Sequence, residues 1–236
     1  EYTTLKNVGS VTNKIKIKIF DEEEQNVREN YEIIYVYDAI TVTPRFITVA
    51  PFGEKVYDGK PLESVRLVET ADSPYLIVEG QNISASLEFE KIVDAGSTGC
   101  TVIGDPQIYD GEENVTGNYD ITVENGEITV FPRHVEIASA NAQKYYDGIP
   151  LVCGDWVYGA GGKYKLVEGH ALSGLYIFGS QTEVGSSKNL LNSSNARIFD
   201  GENDVTHNYE LSFKEGILTV KKRATVTVLT DSGIKV

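Results

Sequence analysis

The sequence contains no methionine, two cysteines and one tryptophan in 236 residues. Two cysteines, Cys100 and Cys153, are too few for a disulfide scaffold, and their spacing fits no metal motif, so we expect unpaired, half-buried thiols. This low count fits a bacterial cell surface better than the cytosol. Because methionine is missing even at position 1, we expect the chain to be a piece of a longer or processed protein.

Long apolar runs and positive charge are also scarce. No run approaches the roughly 18 residues that span a bilayer, and no signal-like segment opens the chain. We therefore expect no membrane insertion. There are 21 Lys and Arg against 35 Asp and Glu, a net charge of −14. Such an excess argues against nucleic acid as a partner, and the composition is that of a globular protein.

Histidines number only three, and they show no catalytic or metal-ligating spacing. They are His134, His170 and His207. None has a histidine at the matching position of a sister repeat. The sequence therefore predicts no enzyme, no metal site and no cofactor.

The chain does contain an internal repeat. Residues 108–133 and 198–223 align without gaps with 12 identities in 26 positions, and a third copy ends at Arg45. The motif Tyr-Asp-Gly begins at Tyr57 and again at Tyr146, 89 residues later. We predict a half repeat (repeat one), two complete repeats (repeats two and three) and the first strand of another: 1–45, 46–133, 134–223 and 224–236.

Apolar residues within a repeat follow a period of two. Segments 47–49, 84–89 and 128–130 alternate or carry β-branched residues, and no stretch has the pattern of an amphipathic helix. Asn125-Gly126 predicts a tight hairpin between two such segments, and Glu215-Gly216 takes its place in repeat three. About seven strands in about 89 residues predict an all-β fold of tandem immunoglobulin-like β-sandwiches.

Strand ends carry two further signals. The connections at 43–45, 131–133 and 221–223 are too short for flexible linkers, so the last strand of one repeat should run nearly into the next. That arrangement favours a semi-rigid rod. Lys14, Lys16 and Lys18 alternate with isoleucines, which predicts an edge strand protected by lysine against pairing with other chains.

The order of motifs points to a family. A unit of x-ITV-x-PR, K-x-YDG-x-PL, VEG, a Gly-Ser turn and NY-x-I-x4-G-x-ITV resembles the MBG-type immunoglobulin-like repeats of bacterial surface proteins. The motifs occur twice in full and once in part, over nearly the whole chain. The resemblance implies an extracellular module of large adhesin-like or cell-wall-associated proteins, without catalytic residues. Tyr37-Asp38 and Lys221-Lys222 depart from the pattern.

Recurring Asn-Tyr pairs are the first candidate sites. Tyr31, Tyr119 and Tyr209 each follow an asparagine, and we expect their hydroxyls to bond to the backbone while the asparagine makes a turn. The motifs at Tyr57 and Tyr146 are interpreted as an aromatic anchor followed by a turn. Because every repeat must fold, recurrence favours a structural role for both motifs.

A glycine-rich loop at 154–164 carries the candidate ligand-binding residues. These are Trp156, Tyr158 and Tyr164, which could stack on sugar rings. Trp156 aligns with Leu67, which favours a core position instead. Tyr158 aligns with Glu69 and is the member that we most expect to be exposed.

Two further candidates concern ions and crosslinks. The acidic turns 21–24, 110–113 and 200–203 lack the alternating acidic loop that binds calcium, so we interpret them as solvated turns. Lys55, Asn118 and Glu79 recur as a set in repeat three and could form a Lys–Asn crosslink with an acidic catalyst. Nothing in their spacing shows that they meet.

The sequence thus predicts a monomeric, non-catalytic stalk or spacer at a bacterial cell surface, whose neighbours are repeats of its own chain. The alternative is a module that binds host glycan, mucin or protein through loop 154–164. An accessory domain beside a catalytic domain elsewhere in the parent chain is a third reading.

Overall fold

The computed structural model describes residues 3–224, and within them every regular element is a β-strand apart from three short 3₁₀ turns. The all-β prediction is confirmed. The 3₁₀ turns are Arg28–Asn30, Thr116–Asn118 and Thr206–Asn208. The strand predicted in 224–236 falls on residues beyond the described range.

Twenty strands lie within the described residues, and several of them, such as Gln81–Phe89, alternate more and less buried side chains as the period of two predicts. In chain order they are β1 (Gly9–Thr12), β2 (Ala39–Val42), β3 (Arg45–Val56), β4 (Arg66–Glu69), β5 (Gln81–Phe89), β6 (Gly96–Asp110), β7 (Glu113–Asn114), β8 (Tyr119–Val123), β9 (Gly126–Phe131), β10 (Arg133–Ser139), β11 (Ala142–Tyr145), β12 (Trp156–Tyr158), β13 (His170–Ser173), β14 (Tyr176–Ile177), β15 (Gly185–Asn189), β16 (Leu191–Asn192), β17 (Arg197–Asp200), β18 (Asn203–Asp204), β19 (Tyr209–Lys214) and β20 (Gly216–Lys221). Two of the three predicted short connections are confirmed, since two residues separate β2 from β3 and only Pro132 separates β9 from β10, while the strand predicted after 221–223 lies outside the described residues.

The chain divides into two compact units that do not follow the sequence repeats. Unit 1 comprises Glu1–Glu54, Glu63–Lys91 and Ser97–Ile128; unit 2 comprises Lys55–Leu62, Ile92–Gly96 and Thr129–Val236. Three segments of repeat two, 55–62, 92–96 and 129–133, therefore belong to the same unit as repeat three. The core of unit 1 is built from Ile47, Val49, Leu67, Ile108 and Val115. Unit 2 buries Val135, Ile137, Ile198, Leu218 and Val220.

Several sheets contain parallel pairs. The largest has seven strands, with the order β4-β3-β9-β6-β5, while β7 pairs with β6 and β8 with β3. Strand β3 runs parallel to β8, and β10 runs parallel to β19. In both pairs the register places the closing arginine of one repeat opposite a recurring tyrosine of the next: Arg45 opposite Tyr119 and Arg133 opposite Tyr209.

The predicted Asn-Gly hairpin is wrong. Strands β8 and β9 do not pair with each other, because β8 pairs with β3 and β9 lies between β3 and β6. Gly126 does not form a turn; it allows the backbone at Pro51 to approach closely, because a Cβ at position 126 would collide with the Pro51 carbonyl oxygen. A Cβ at Gly216 would collide with the Ser139 carbonyl in the same way. The tight hairpins lie at the acidic turns, where Asp110 pairs with Glu113 and Asp200 with Asn203.

The lysine-protected edge strand is also wrong. Residues 13–19 form no strand, and Ile15 and Ile17 are 54% and 36% exposed. The corresponding residues of repeat two lie in β6, which pairs with β5.

Candidate functional site

The recurring asparagines bond to residues more than 100 positions earlier. Asn118 ends a 3₁₀ turn and accepts a hydrogen bond from the Val8 N–H at 2.7 Å, while its Nδ2 donates to Asn7 Oδ1 at 3.0 Å. Asn208, which is fully buried, accepts from the Ala95 N–H at 2.6 Å and donates to Asp94 Oδ1 at 2.8 Å. The predicted turn is confirmed. The side-chain contacts were not predicted.

Each asparagine thus ties its own repeat to the Gly-Ser turn of the preceding one. We call the contact of Asn118 with Asn7 and Val8 the first joint, and the contact of Asn208 with Asp94 and Ala95 the second joint. The first joint lies within unit 1 and the second within unit 2. A buried amide is held in place when its donor and acceptor atoms are both satisfied, as both are here.

Two of the three recurring tyrosines, Tyr119 and Tyr209, bond to the backbone as predicted, whereas Tyr31 is 57% exposed and its hydroxyl makes no such bond within the described residues. The Val78 N–H donates to the Tyr119 hydroxyl and the Val167 N–H to the Tyr209 hydroxyl, both at 3.2 Å. Tyr119 in turn donates to Gln81, whereas Tyr209 Oη lies 2.7 Å from Nδ1 of His170, the residue aligned with Gln81. Burial raises the pKa of Tyr209, which keeps its phenol neutral.

An aromatic cluster adjoins the second joint. The Tyr57 ring is 3% exposed and meets the Tyr209 ring edge-on at 5.6 Å, and it also lies near the His170 ring. Burial raises the pKa of Tyr57, and the nearby Asp94 carboxylate raises it further. An open cavity of about 710 Å³ lies beside the cluster, lined by Asp58, Asp94, Arg133, Glu168 and Asp200 among others.

The closing arginines make a second recurring contact. Arg45 Nε donates to the Leu76 carbonyl and Arg133 Nε to the Lys165 carbonyl, both at 2.6 Å. Each guanidinium also lies over an aligned tyrosine ring, Tyr75 at 5.0 Å and Tyr164 at 4.8 Å from the centroid. Arg133 further donates to the Tyr57 carbonyl at 3.0 Å. The recurrence of Arg and Tyr at matching offsets was the sequence signal for this contact.

The three candidate ligand-binding residues differ in their surroundings. Trp156 and Tyr158 form an edge-on pair on β12 with centroids 5.3 Å apart. Trp156 is half-buried and Tyr158 is 37% exposed. The Tyr164 ring is covered by Arg133 and approached by Lys163, as part of the recurring arginine contact.

The glycines of this loop surround a buried carboxylate. A Cβ at Gly159, Gly161 or Gly162 would collide with Glu136, whose Oε1 accepts from the Gly161 N–H at 2.9 Å. Lys214 Nζ lies 2.8 Å from Glu136 Oε2, and the pKa of Glu136 is lowered by this ion pair and by the Gly161 N–H. Repeat two has Thr48 in the corresponding strand position, so this pair is specific to repeat three.

The remaining candidates have ordinary partners. Lys55 binds Asp58 and Lys144 binds Asp147, each within its own Tyr-Asp-Gly turn, where Gly59 and Gly148 take positive φ. The lysines and asparagines of the proposed crosslink therefore have other partners. Lys55 and Lys144 bind the aspartates of these turns, and Asn118 and Asn208 bond within the joints. Cys100 and Cys153 are unpaired, as predicted, but only Cys153 is half-buried; the prediction was wrong for Cys100, which is fully buried. Over residues 3–224, no three His, Cys, Asp or Glu side chains group as metal ligands would.

No known protein family, curated protein or solved structure matches the chain. Within the described residues, no helix is long and apolar enough to cross a membrane.

Proposed function

We propose that the chain is a non-catalytic stalk or spacer of a bacterial cell-surface protein, built from tandem immunoglobulin-like sandwiches of the MBG type. One observation carries the proposal: the residues that recur along the chain are the ones that tie one repeat to the next. Asn118 and Asn208 make the joints, and Arg45 and Arg133 donate to the carbonyls of Leu76 and Lys165 in the following repeat. A spacer needs such joints at every repeat, whereas a ligand-binding site needs to occur in only one repeat.

The sequence supports an extracellular setting for this role. The motif order resembles that of bacterial surface repeats, cysteines are few and the net charge is −14. Direct joints without free linkers would give a semi-rigid rod, which keeps a distal adhesive domain away from the cell.

Force measurements test the stalk. Pulling the chain from its two ends should give unfolding events at high force in the wild type and at lower force in Asn208→Ala, because the variant loses the second joint. Asn82→Ala, at an exposed position of β5 outside the joints, is the matched control. Equal forces for wild type and Asn208→Ala would contradict a load-bearing joint.

Glycan binding through loop 154–164 is the second candidate, favoured by a change of charge. Relative to repeat two, repeat three replaces Glu69 with Tyr158, Pro74 with Lys163 and Leu76 with Lys165. Lys165 Nζ lies 5.5 Å from the Tyr158 ring centroid. This basic and aromatic surface on an acidic chain suits a carboxylated or sulfated glycan.

A glycan array separates the two functions. The stalk predicts no binding across the array. The second candidate predicts binding of acidic glycans that is lost when Tyr158→Glu and Lys165→Leu restore the residues of repeat two. Binding that survives this double substitution would contradict the loop as its site.

A further inference from the structure

The Asp105–Pro106 peptide bond lies in an irregular part of β6. Ser84 pairs with Gln107 and Ser86 with Ile103, so a single residue of β5 faces three residues of β6, 104–106. The strand therefore bulges there, and Gly104 takes φ +74°. Asp105 is exposed and Pro106 is buried.

The chemistry of this bond is distinctive. The proline nitrogen carries no hydrogen, so it makes no ladder bond that would hold the peptide in the sheet. The Asp105 carboxyl can reach its own carbonyl carbon through a five-membered ring, and such intramolecular attack is strongly favoured over a bimolecular one. Among residues 3–224 the Asp105 carboxylate has no hydrogen-bond or ion-pair partner, so it is available for this attack.

A side chain next to the bond polarises the carbonyl. Gln107 Nε2 lies 3.3 Å from the Asp105 carbonyl oxygen and 3.1 Å from that of Pro106. The amide is held in this orientation because Asn114 Nδ2 donates to Gln107 Oε1 at 2.9 Å. A fixed donor at a carbonyl oxygen stabilises the negative charge that develops there during attack. A cavity of about 480 Å³ opens beside the bond and admits water.

We propose that Asp105–Pro106 is a self-cleavage site that opens in mild acid, with Asp105 as the nucleophile and Gln107 as the hydrogen-bond donor. A carboxyl oxygen of Asp105 bonds to its own carbonyl carbon, and the C–N bond to Pro106 breaks. The carboxyl proton passes to the proline nitrogen, which leaves as a secondary amine. Water then opens the cyclic anhydride to two carboxyl groups, so the net reaction consumes one water and involves no redox change.

The site is confined to repeat two. The aligned residues are Asn195-Ala196 in repeat three and Lys16-Ile17 in repeat one, and neither pair has a side-chain carboxyl or a proline nitrogen. Strand β5 pairs with β6 on both sides of the bond, at 107–110 and at 100–103. The two fragments should therefore stay associated after cleavage.

The experiment compares folded and urea-unfolded protein at about pH 4, where aspartic carboxyl groups begin to protonate, and near neutral pH, with intact mass as the readout. We expect fragments 1–105 and 106–236, whose summed mass exceeds the chain by one water, to form faster from folded than from unfolded protein. The fragments should elute together on native chromatography and separate in denaturant. Equal rates for folded and unfolded protein would overturn the proposal, because an ordinary Asp-Pro bond needs no fold.

Variants assign the roles. Asp105→Ala should abolish cleavage, and Gln107→Leu should slow cleavage of the folded protein by about a hundredfold, the order expected for loss of one such donor, while leaving the unfolded rate unchanged. Gln143→Leu, an exposed position on β11, controls for the substitution itself. A Gln107→Leu variant that melts like the wild type and cleaves at the wild-type rate would contradict the donor role. Cleavage of Asp105→Ala at the same bond would contradict the nucleophile.

Discussion

The motif Tyr-Asp-Gly occurs twice in unit 2 with the same local structure and different surroundings. At both copies a lysine binds the aspartate and the glycine takes positive φ, +76° at Gly59 and +81° at Gly148. Tyr57 is nevertheless 3% exposed and Tyr146 is 37% exposed. The difference arises because Tyr57 packs against Tyr209 and His170 of the next repeat. The motif therefore has a local part, the turn, and a part that only the next repeat completes.

The largest expected difference in stability is between variants that lack the Tyr57 ring and variants that lack the Tyr146 ring. Tyr57→Ala should lower the free energy of unfolding by about 3 kcal/mol, because it empties a packed aromatic cluster. Tyr146→Ala should change it by less than about 1 kcal/mol, because that ring is partly in solvent. Denaturant unfolding of both variants measures the difference. Equal losses would break the comparison.

The joint asparagines should rank second. Asn208→Ala leaves the Ala95 N–H and the Asp94 carboxylate without their partner, which should cost about 1–3 kcal/mol. Asn30 holds the same sequence position in repeat one but is exposed, so Asn30→Ala should fall within about 0.5 kcal/mol of wild type. Chemical denaturation reports both values. If Asn30→Ala cost as much stability as Asn208→Ala, the loss would come from the 3₁₀ turn that both asparagines share and not from the joint.

Exchanging the partners of the recurring tyrosines sharpens the comparison further. His170→Gln gives the Tyr209 hydroxyl the same partner residue that Tyr119 has in Gln81, so stability should change by less than about 1 kcal/mol. His170→Leu removes the partner of the Tyr209 hydroxyl and should cost more. Thermal melts near neutral pH compare the two. A glutamine variant as unstable as the leucine variant would show that the histidine has another role.

The smallest effect concerns the local turn. The pKa of Asp147 is lowered mainly by its hydrogen bond from Lys144, so the charged carboxylate favours the folded state above the usual aspartate range and this contribution is lost as pH falls through the lowered pKa. Lys144→Met should raise the pKa of Asp147, and Lys55→Met that of Asp58. NMR titration measures both. A rise of the pKa at only one of the two aspartates would contradict the view that the lysine–aspartate turn forms independently of how deeply the neighbouring tyrosine is buried.

How far the sequence predicted the fold depends on the distance between partners. Strands such as 47–49 and the backbone bond of Tyr119 follow from spacing within a repeat, and both were predicted. The joints were not, because Asn208 and Ala95 are 113 positions apart and nothing near either residue encodes the other. The Asn-Gly hairpin failed for a related reason: the glycine allows contact with the Pro51 backbone, and its partner strand is remote.

Part of the candidate ligand site was predictable as well. Tyr158 is exposed, as expected from its alignment with an acidic residue. The cover of Arg133 over Tyr164 was missed, although Arg45 and Tyr75 repeat the same pair. Comparing aligned residues between repeats in pairs, instead of singly, would have found it.

The central claim is that the recurring asparagine ties one repeat to the turn of the preceding one. Amide hydrogen exchange tests it most directly, because the Ala95 N–H donates to Asn208 and the Val8 N–H to Asn118. In Asn208→Ala the Ala95 amide should lose protection while the Val8 amide keeps it, and Asn118→Ala should give the reverse. Unchanged protection of Ala95 in a folded Asn208→Ala variant would contradict the account.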